Sequence, residues 1–116
     1  MQKSEYGESL VNVVVIDDDA SVRRSVSAML ERAGYAVTLY ESADSFLKNP
    51  ALPTPAVVVL DMRMPGTSGV ALQSQLKTLS QSAAVVFVSG DSRPDEIITA
   101  MKQGAVDFLL KPFSAQ

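Results

Sequence analysis

The chain reads as an α/β fold: a doubly wound, five-stranded parallel sheet. Three observations predict it. Five short, mostly continuous apolar runs rich in valine recur along the sequence, the pattern of strands covered on both faces. Between them lie segments whose apolar residues repeat at helical spacing. The 116 residues, 47% hydrophobic and 20% charged, suffice for one globular core. Strict alternation of strand and helix demands parallel strands, right-handed crossovers and helices on both faces of the sheet.

The first run, Leu10 to Ile16, is followed from Ser21 to Ala33 by a helix with Val22, Val26, Met29, Leu30 and Ala33 as its apolar stripe. Gly34 stops that helix. A second run, Ala36 to Tyr40, leads into a short helix over Ser42 to Lys48 that contributes Phe46 and Leu47. Asn49-Pro50 and Pro53-Thr54-Pro55 break the chain before the third run, Ala56 to Leu60. Leu72, Leu76 and Leu79 mark the next helix, between Gly69 and Leu79, and Ala84 to Val88 forms the fourth strand. Pro94 suits a first helical turn; Ile97, Met101 and Ala105 line the helix after it, Gly104 ends it, and Asp107 to Leu110 closes the sheet. Only Phe113-Ser114-Ala115-Gln116 follow the last Lys-Pro pair, so the fifth helix usual in such a sheet is expected to be missing. One sheet face should be partly bare, through truncation or because a partner covers it. Residues 1–10 are expected to be a flexible leader, with the domain proper over 11–116.

Composition removes several function classes. Without cysteine there is no disulfide scaffold, zinc-thiolate site or thiol catalysis. A net charge of −3 and ten scattered basic residues, with Arg23-Arg24 the one adjacent pair, argue against direct nucleic-acid binding. No apolar run approaches membrane-spanning length, and the N-terminus lacks the greasy core of a secretory signal. A cytoplasmic protein is expected.

The chemistry gathers at strand ends. Asp17-Asp18-Asp19 close the first run and Asp61 closes the third. In a sheet of order 2-1-3-4-5 these strands are neighbours, and ligands bind where the strand order reverses, between strands one and three. Each like-charged pair about 4 Å apart costs roughly 4 kcal/mol at an effective dielectric near 20. Such a cluster calls for a hard, oxygen-bound divalent cation, Mg²⁺ above all with Mn²⁺ as its substitute. Capping of the first helix is the plain alternative for Asp17 and Asp18, but one aspartate suffices for a cap; Asp19 is assigned to capping or solvent. Lys111, after the fifth strand, would bring Asp17, Asp18, Asp61 and a divalent cation to neutrality. Ser89, ending the fourth strand, would offer a hydroxyl to an incoming oxyanion. Carboxylate, hard cation, lysine and hydroxyl together make a phosphoryl-transfer site, with an aspartyl phosphate as its product.

At this point the chain resembles the receiver domain of two-component response regulators, over roughly Val11 to Phe113. The resemblance rests on Ile16-Asp17-Asp18-Asp19, Leu60-Asp61-Met62-Arg63-Met64-Pro65-Gly66-Thr67-Ser68-Gly69, Val88-Ser89-Gly90 and Lys111-Pro112-Phe113, four motifs in order. It implies the flavodoxin-like receiver fold, Asp61 as phosphoacceptor and a sensor histidine kinase as donor. Asp18, Asp61 and the Arg63 carbonyl would bind Mg²⁺ directly, and Asp17 through water. Ser89 and Lys111 would contact the phosphoryl oxygens, a cis peptide before Pro112 would aim the lysine inward, and Phe108 would be the switch aromatic on the α4-β5 surface. The Met-Pro-Gly-x-Ser-Gly stretch looks closest to receivers that precede helix-turn-helix domains. A DNA-binding output domain, absent from this chain, and transcriptional control are thereby implied. A homodimer is implied too, although its usual surfaces would lack the final helix.

Arg63 and Asp91 rim the pocket two residues beyond Asp61 and Ser89. They are expected to pair across its mouth and gate the water that attacks a phosphoaspartate. Rival readings are weaker. A dehalogenase-type phosphatase needs a second aspartate where Arg63 stands, and a dinucleotide module needs glycines where the first turn reads Asp-Asp-Asp-Ala-Ser. The remaining alternative is a pseudo-receiver, an interaction platform that is never phosphorylated.

Overall fold

A computed structural model describes residues 11–50, 56–79, 83–90 and 93–111. Among them the elements run β1 (Asn12–Ile16), α1 (Ala20–Arg32), β2 (Ala36–Tyr40), α2 (Ala43–Leu47), β3 (Ala56–Asp61), α3 (Gly69–Leu79), β4 (Ala84–Ser89), α4 (Pro94–Lys102) and β5 (Asp107–Leu110). The strands are all parallel, in the order β2-β1-β3-β4-β5. The expected leader, Pro112 and Phe113, and Asp91 lie outside the described residues.

Register places the functional strand ends. Ile16 pairs with Leu60, so Asp17 and Asp61 leave neighbouring strands side by side. Asp61 pairs with Val88, and Ser89 pairs with Leu110. Asp17, Asp61 and Ser89 thus end at one edge of the sheet, and Lys111 follows Leu110 at the same edge.

Alternation along the strands divides the core in two. Val14, Ile16, Val58, Leu60 and Phe87 face one way and pack with Ala43 and Phe46 of α2, Leu72 and Leu76 of α3 and Ala100 of α4. Val13 and Val15 face the other way, against Val22, Val26 and Leu30 of α1, with Val57 and Val59 half-buried beside them. Among the described residues α1 is the one helix on that second face. Leu109, on β5, is 42% exposed. Among the described residues, that side of β5 is open to solvent beyond the reach of α1, while Val88 beside it is buried.

Several details differ from the sequence reading. The outer strands β2 and β5 are not covered on both faces: Thr38, Leu39, Leu109 and Leu110 are exposed. The helix stripes are narrower than spacing suggested. Met29 on α1, Ala33 at its C-cap, Leu79 on α3 and Met101 on α4 are exposed, while Ala100 is buried. A 3.6-residue repeat defines a direction only to within a neighbouring position, and packing selects among them. Gln73 is buried in α3 despite its amide, because its Nε2 donates to the Ala100 carbonyl at 3.0 Å and ties α3 to α4.

Candidate functional site

Capping is settled by Asp19. Its Oδ1 accepts from the Ser21 backbone N–H at 2.8 Å, the Ser21 hydroxyl at 2.7 Å and, more weakly, the Val22 N–H at 3.4 Å. Those bonds, the Ser21 hydroxyl foremost, hold its carboxyl below the usual aspartate range. With the helix N-terminus served, Asp17 and Asp18 are left for other work.

Asp17 is fully buried and braced from several directions. Its N–H donates to the Tyr40 carbonyl at 3.2 Å and its Oδ1 accepts from the Asp19 N–H at 2.9 Å. Its carbonyl accepts from Arg23 Nη1 at 2.7 Å. Asp61 is the last residue of β3 and 3% exposed. Asp18 is exposed, so the cluster opens to solvent on its side. One carboxylate oxygen from each of the three lies within 4.8 Å of the others.

Lys111 closes the cluster. Its backbone N–H donates to the Ser89 carbonyl at 2.8 Å, which extends the β4–β5 ladder by one residue and fixes where the side chain starts. Its Nζ then lies 3.0 Å from Asp17 Oδ2 and 3.4 Å from Asp61 Oδ1. Burial favours a neutral amine, but the hydrogen bond to Asp17 and the charges of Asp61 and Asp17 outweigh it and raise the lysine pKa. Asp61 moves the other way from an ordinary carboxylate. Burial first, then the neighbouring Asp17 charge, push it up to about 7, against the pull of Lys111. One ammonium among three carboxylates leaves two negative charges in excess, and every donor is a hard oxygen. That donor set fits a divalent cation of the Mg²⁺ type.

Around this centre Asp18, Asp19, Asp61, Arg63, Ser89, Gly90 and Lys111 line an open cavity of about 460 Å³. The sequence-derived residues Asp17, Asp18, Asp61, Ser89 and Lys111 are thus brought together. Phe108 sits outside the cavity, half-buried on β5, with its ring 6.4 Å from that of Phe87. Arg63 Nη2 is 2.7 Å from Glu96 Oε1, a partner on α4. The expected Arg63–Asp91 pair involves a residue outside the described set. Sequence reading missed three residues: Arg23, which holds the Asp17 carbonyl, Glu96 and Gln73. Arg23 had a signal, a cation one turn into the helix behind an acidic run; Glu96 had another, an acid three residues after Arg93 and just past Pro94.

Comparison with known proteins agrees with this geometry. The family model described as the response regulator receiver domain matches residues 13–116. The transcriptional regulatory protein FixJ of Bradyrhizobium diazoefficiens is 41% identical over 104 residues, covering 88% of this chain and 50% of that protein. The DNA-binding transcriptional regulator NtrC of Salmonella typhimurium is 39% identical over 101 residues, covering 87% of this chain and 22% of that protein. The chain spans about half the length of FixJ and less of NtrC. Among solved structures, FixJ-N superposes with a TM-score of 0.79 at 37% identity, covering 93% of this chain and 86% of that one. The response regulator StyR gives 0.80 at 40% identity, covering 91% and 54%. No helix among the described residues is long and apolar enough to cross a membrane. Fold, strand-end cluster and these likenesses converge: the chain belongs to the response regulator receiver domain family of two-component systems, related to the receivers of transcriptional regulators.

Proposed function

We propose that Asp61 is the phosphoacceptor of a two-component relay and takes its phosphoryl group from a sensor histidine kinase. The observation that carries this reading is the convergence of Lys111 Nζ on Asp17 and Asp61 at 3.0 and 3.4 Å, beside the exposed Asp18. A carboxylate oxygen of Asp61 attacks phosphorus in line, the P–N bond of the phosphohistidine breaks, and the imidazole leaves with the electron pair and takes up a proton. Hydrolysis returns the carboxylate and releases inorganic phosphate, so the domain is a relay rather than a turnover enzyme on a free substrate.

Asp17, Asp18 and Asp61, with the Arg63 carbonyl, would hold Mg²⁺, which when bound spreads the charge of the phosphoryl oxygens. Lys111 would neutralise charge on the phosphoryl oxygens, and the Ser89 hydroxyl would donate to one of them. Movement of Ser89 toward the phosphoryl group frees space for Phe108 to turn inward, changing the surface of α4 and β5, a local charge change that biases a two-state element. The output is transcriptional control in the cytoplasm through a DNA-binding domain. Support for that step is the likeness to FixJ and NtrC.

Incubation with Mg²⁺ and acetyl phosphate, followed by intact-protein mass spectrometry, tests the reading. Wild type is expected to gain one phosphoryl group, and Asp61→Asn none. A wild-type mass that never changes would instead establish a pseudo-receiver that acts as an unphosphorylated interaction platform.

A further inference from the structure

Glu96 Oε1 has two partners from different parts of the chain. It lies 2.7 Å from Arg63 Nη2, across 33 positions of sequence. It also accepts from the Arg93 N–H at 2.9 Å, at the start of α4. The arginine side chain has no acceptor to return that bond, so the Arg93 carbonyl takes the Glu96 N–H instead, at 3.0 Å. One carboxylate therefore both caps α4 and ties it to the loop after Asp61.

Arg63 stands between two anions. Its backbone N–H donates to Asp61 Oδ1 at 3.4 Å, and the residue lines the cavity that holds Asp61, Ser89 and Lys111. On its other side, Arg63 and Glu96 line an adjoining cavity with Met62, Met64, Pro65 and Ser68. The Arg63 side chain is 50% exposed and that of Glu96 24%. A pair this open is weak, worth at most a few-fold in equilibrium constant. An aspartyl phosphate carries nearly two negative charges and presents a geometry that a guanidinium fork matches.

We propose that Arg63 is a phosphoryl-contacting residue held in reserve by Glu96. Phosphorylation of Asp61 draws the guanidinium off Glu96 onto the phosphoryl oxygens, and the first turn of α4 loses its tether to the β3–α3 loop. By reciprocity, whatever pulls Glu96 away from Arg63 strengthens phosphoryl binding by the same factor. Glu96 acts through Arg63 and is a positioning residue. This rests on the reading of Asp61 as phosphoacceptor and adds a second route from the site to α4, separate from Ser89 and Phe108.

Glu96→Gln is the clean perturbation, since its amide oxygen still accepts from the Arg93 N–H while the charge is gone. Beryllium trifluoride with Mg²⁺ serves as the phosphoryl mimic, its Kd read by fluorine NMR. Glu96→Gln is expected to bind about threefold more tightly than wild type, and Arg63→Ala more weakly. In the double variant the Glu96→Gln gain should vanish, the mark of an interaction routed through Arg63. Amide exchange over residues 95–98 should quicken on loading in wild type and already be fast in unloaded Glu96→Gln. A gain that persists without Arg63 would overturn the proposal, because it would reflect only the loss of a nearby negative charge. Unchanged affinity in Glu96→Gln, or exchange that ignores loading, would overturn it as well. If wild type fails to bind the mimic at all, the phosphoacceptor reading itself falls, and the inference with it.

Discussion

Asp61 is the residue whose chemistry depends most on its surroundings. Burial and the Asp17 charge raise its pKa from 3.8 to about 7, so between those values the folded protein holds a proton that the unfolded chain releases. Stability must then fall as pH rises through that window, since ∂ΔG/∂pH follows protons bound unfolded minus protons bound folded. Thermal melts of metal-free protein are expected to show a lower Tm at pH 8 than at pH 6, with the slope reduced in Asp61→Asn. A wild-type slope equal to that of Asp61→Asn would mean that Asp61 titrates as an ordinary aspartate. Sequence made the acids visible because Asp17-Asp18-Asp19 and Asp61 close two apolar runs. It gave no hint that Asp17 would be fully buried while Asp18 faces solvent, a division set by the backbone bonds of Asp17 to Tyr40 and Arg23.

Elements are bounded by short-range chemistry, and here the sequence was most legible. Asp19 caps α1, Ser42 caps α2 through its hydroxyl to the Ser45 N–H at 2.9 Å, and Pro94 opens α4. Asp19→Ala is expected to lower the urea denaturation midpoint, by loss of the helix cap, while leaving Mg²⁺ affinity within twofold. A large loss of Mg²⁺ affinity would move Asp19 from the helix cap into the metal site. The glycine at the start of α3 has a different cause. A Cβ at Gly69 would press on the Asp61 carbonyl and the Met62 Cα, so α3 approaches the end of β3 only because nothing projects there. The motif displayed Gly69 plainly, whereas the strand it must clear belongs to the assembled sheet.

For the folded domain as one body, the acidic edge is a site of stored repulsion that a bound divalent cation would relieve. Binding to the native state alone stabilises by RT ln(1 + [L]/Kd), about 2.7 kcal/mol at one hundred times Kd. For a domain of this length that is roughly 10 °C in Tm. Mg²⁺ is expected to produce a rise of this order over EDTA-treated protein, followed by circular dichroism. A Tm that Mg²⁺ does not move would leave the cluster without its cation. Among the described residues, the sheet face at Val57, Val59 and Leu109 stays partly open beyond α1.

The order of strands and helices, the parallel sheet and the acids at its carboxyl edge were all readable from residues 10–111. Each depends on local periodicity and on the few topologies that strict alternation allows. Folding alone selected the partners: Lys111 with Asp17 and Asp61, Arg63 with Glu96, Gln73 with Ala100. These contacts join residues about thirty to ninety positions apart, and a side chain's reach there depends on strand register and loop path, to which one-dimensional spacing is blind.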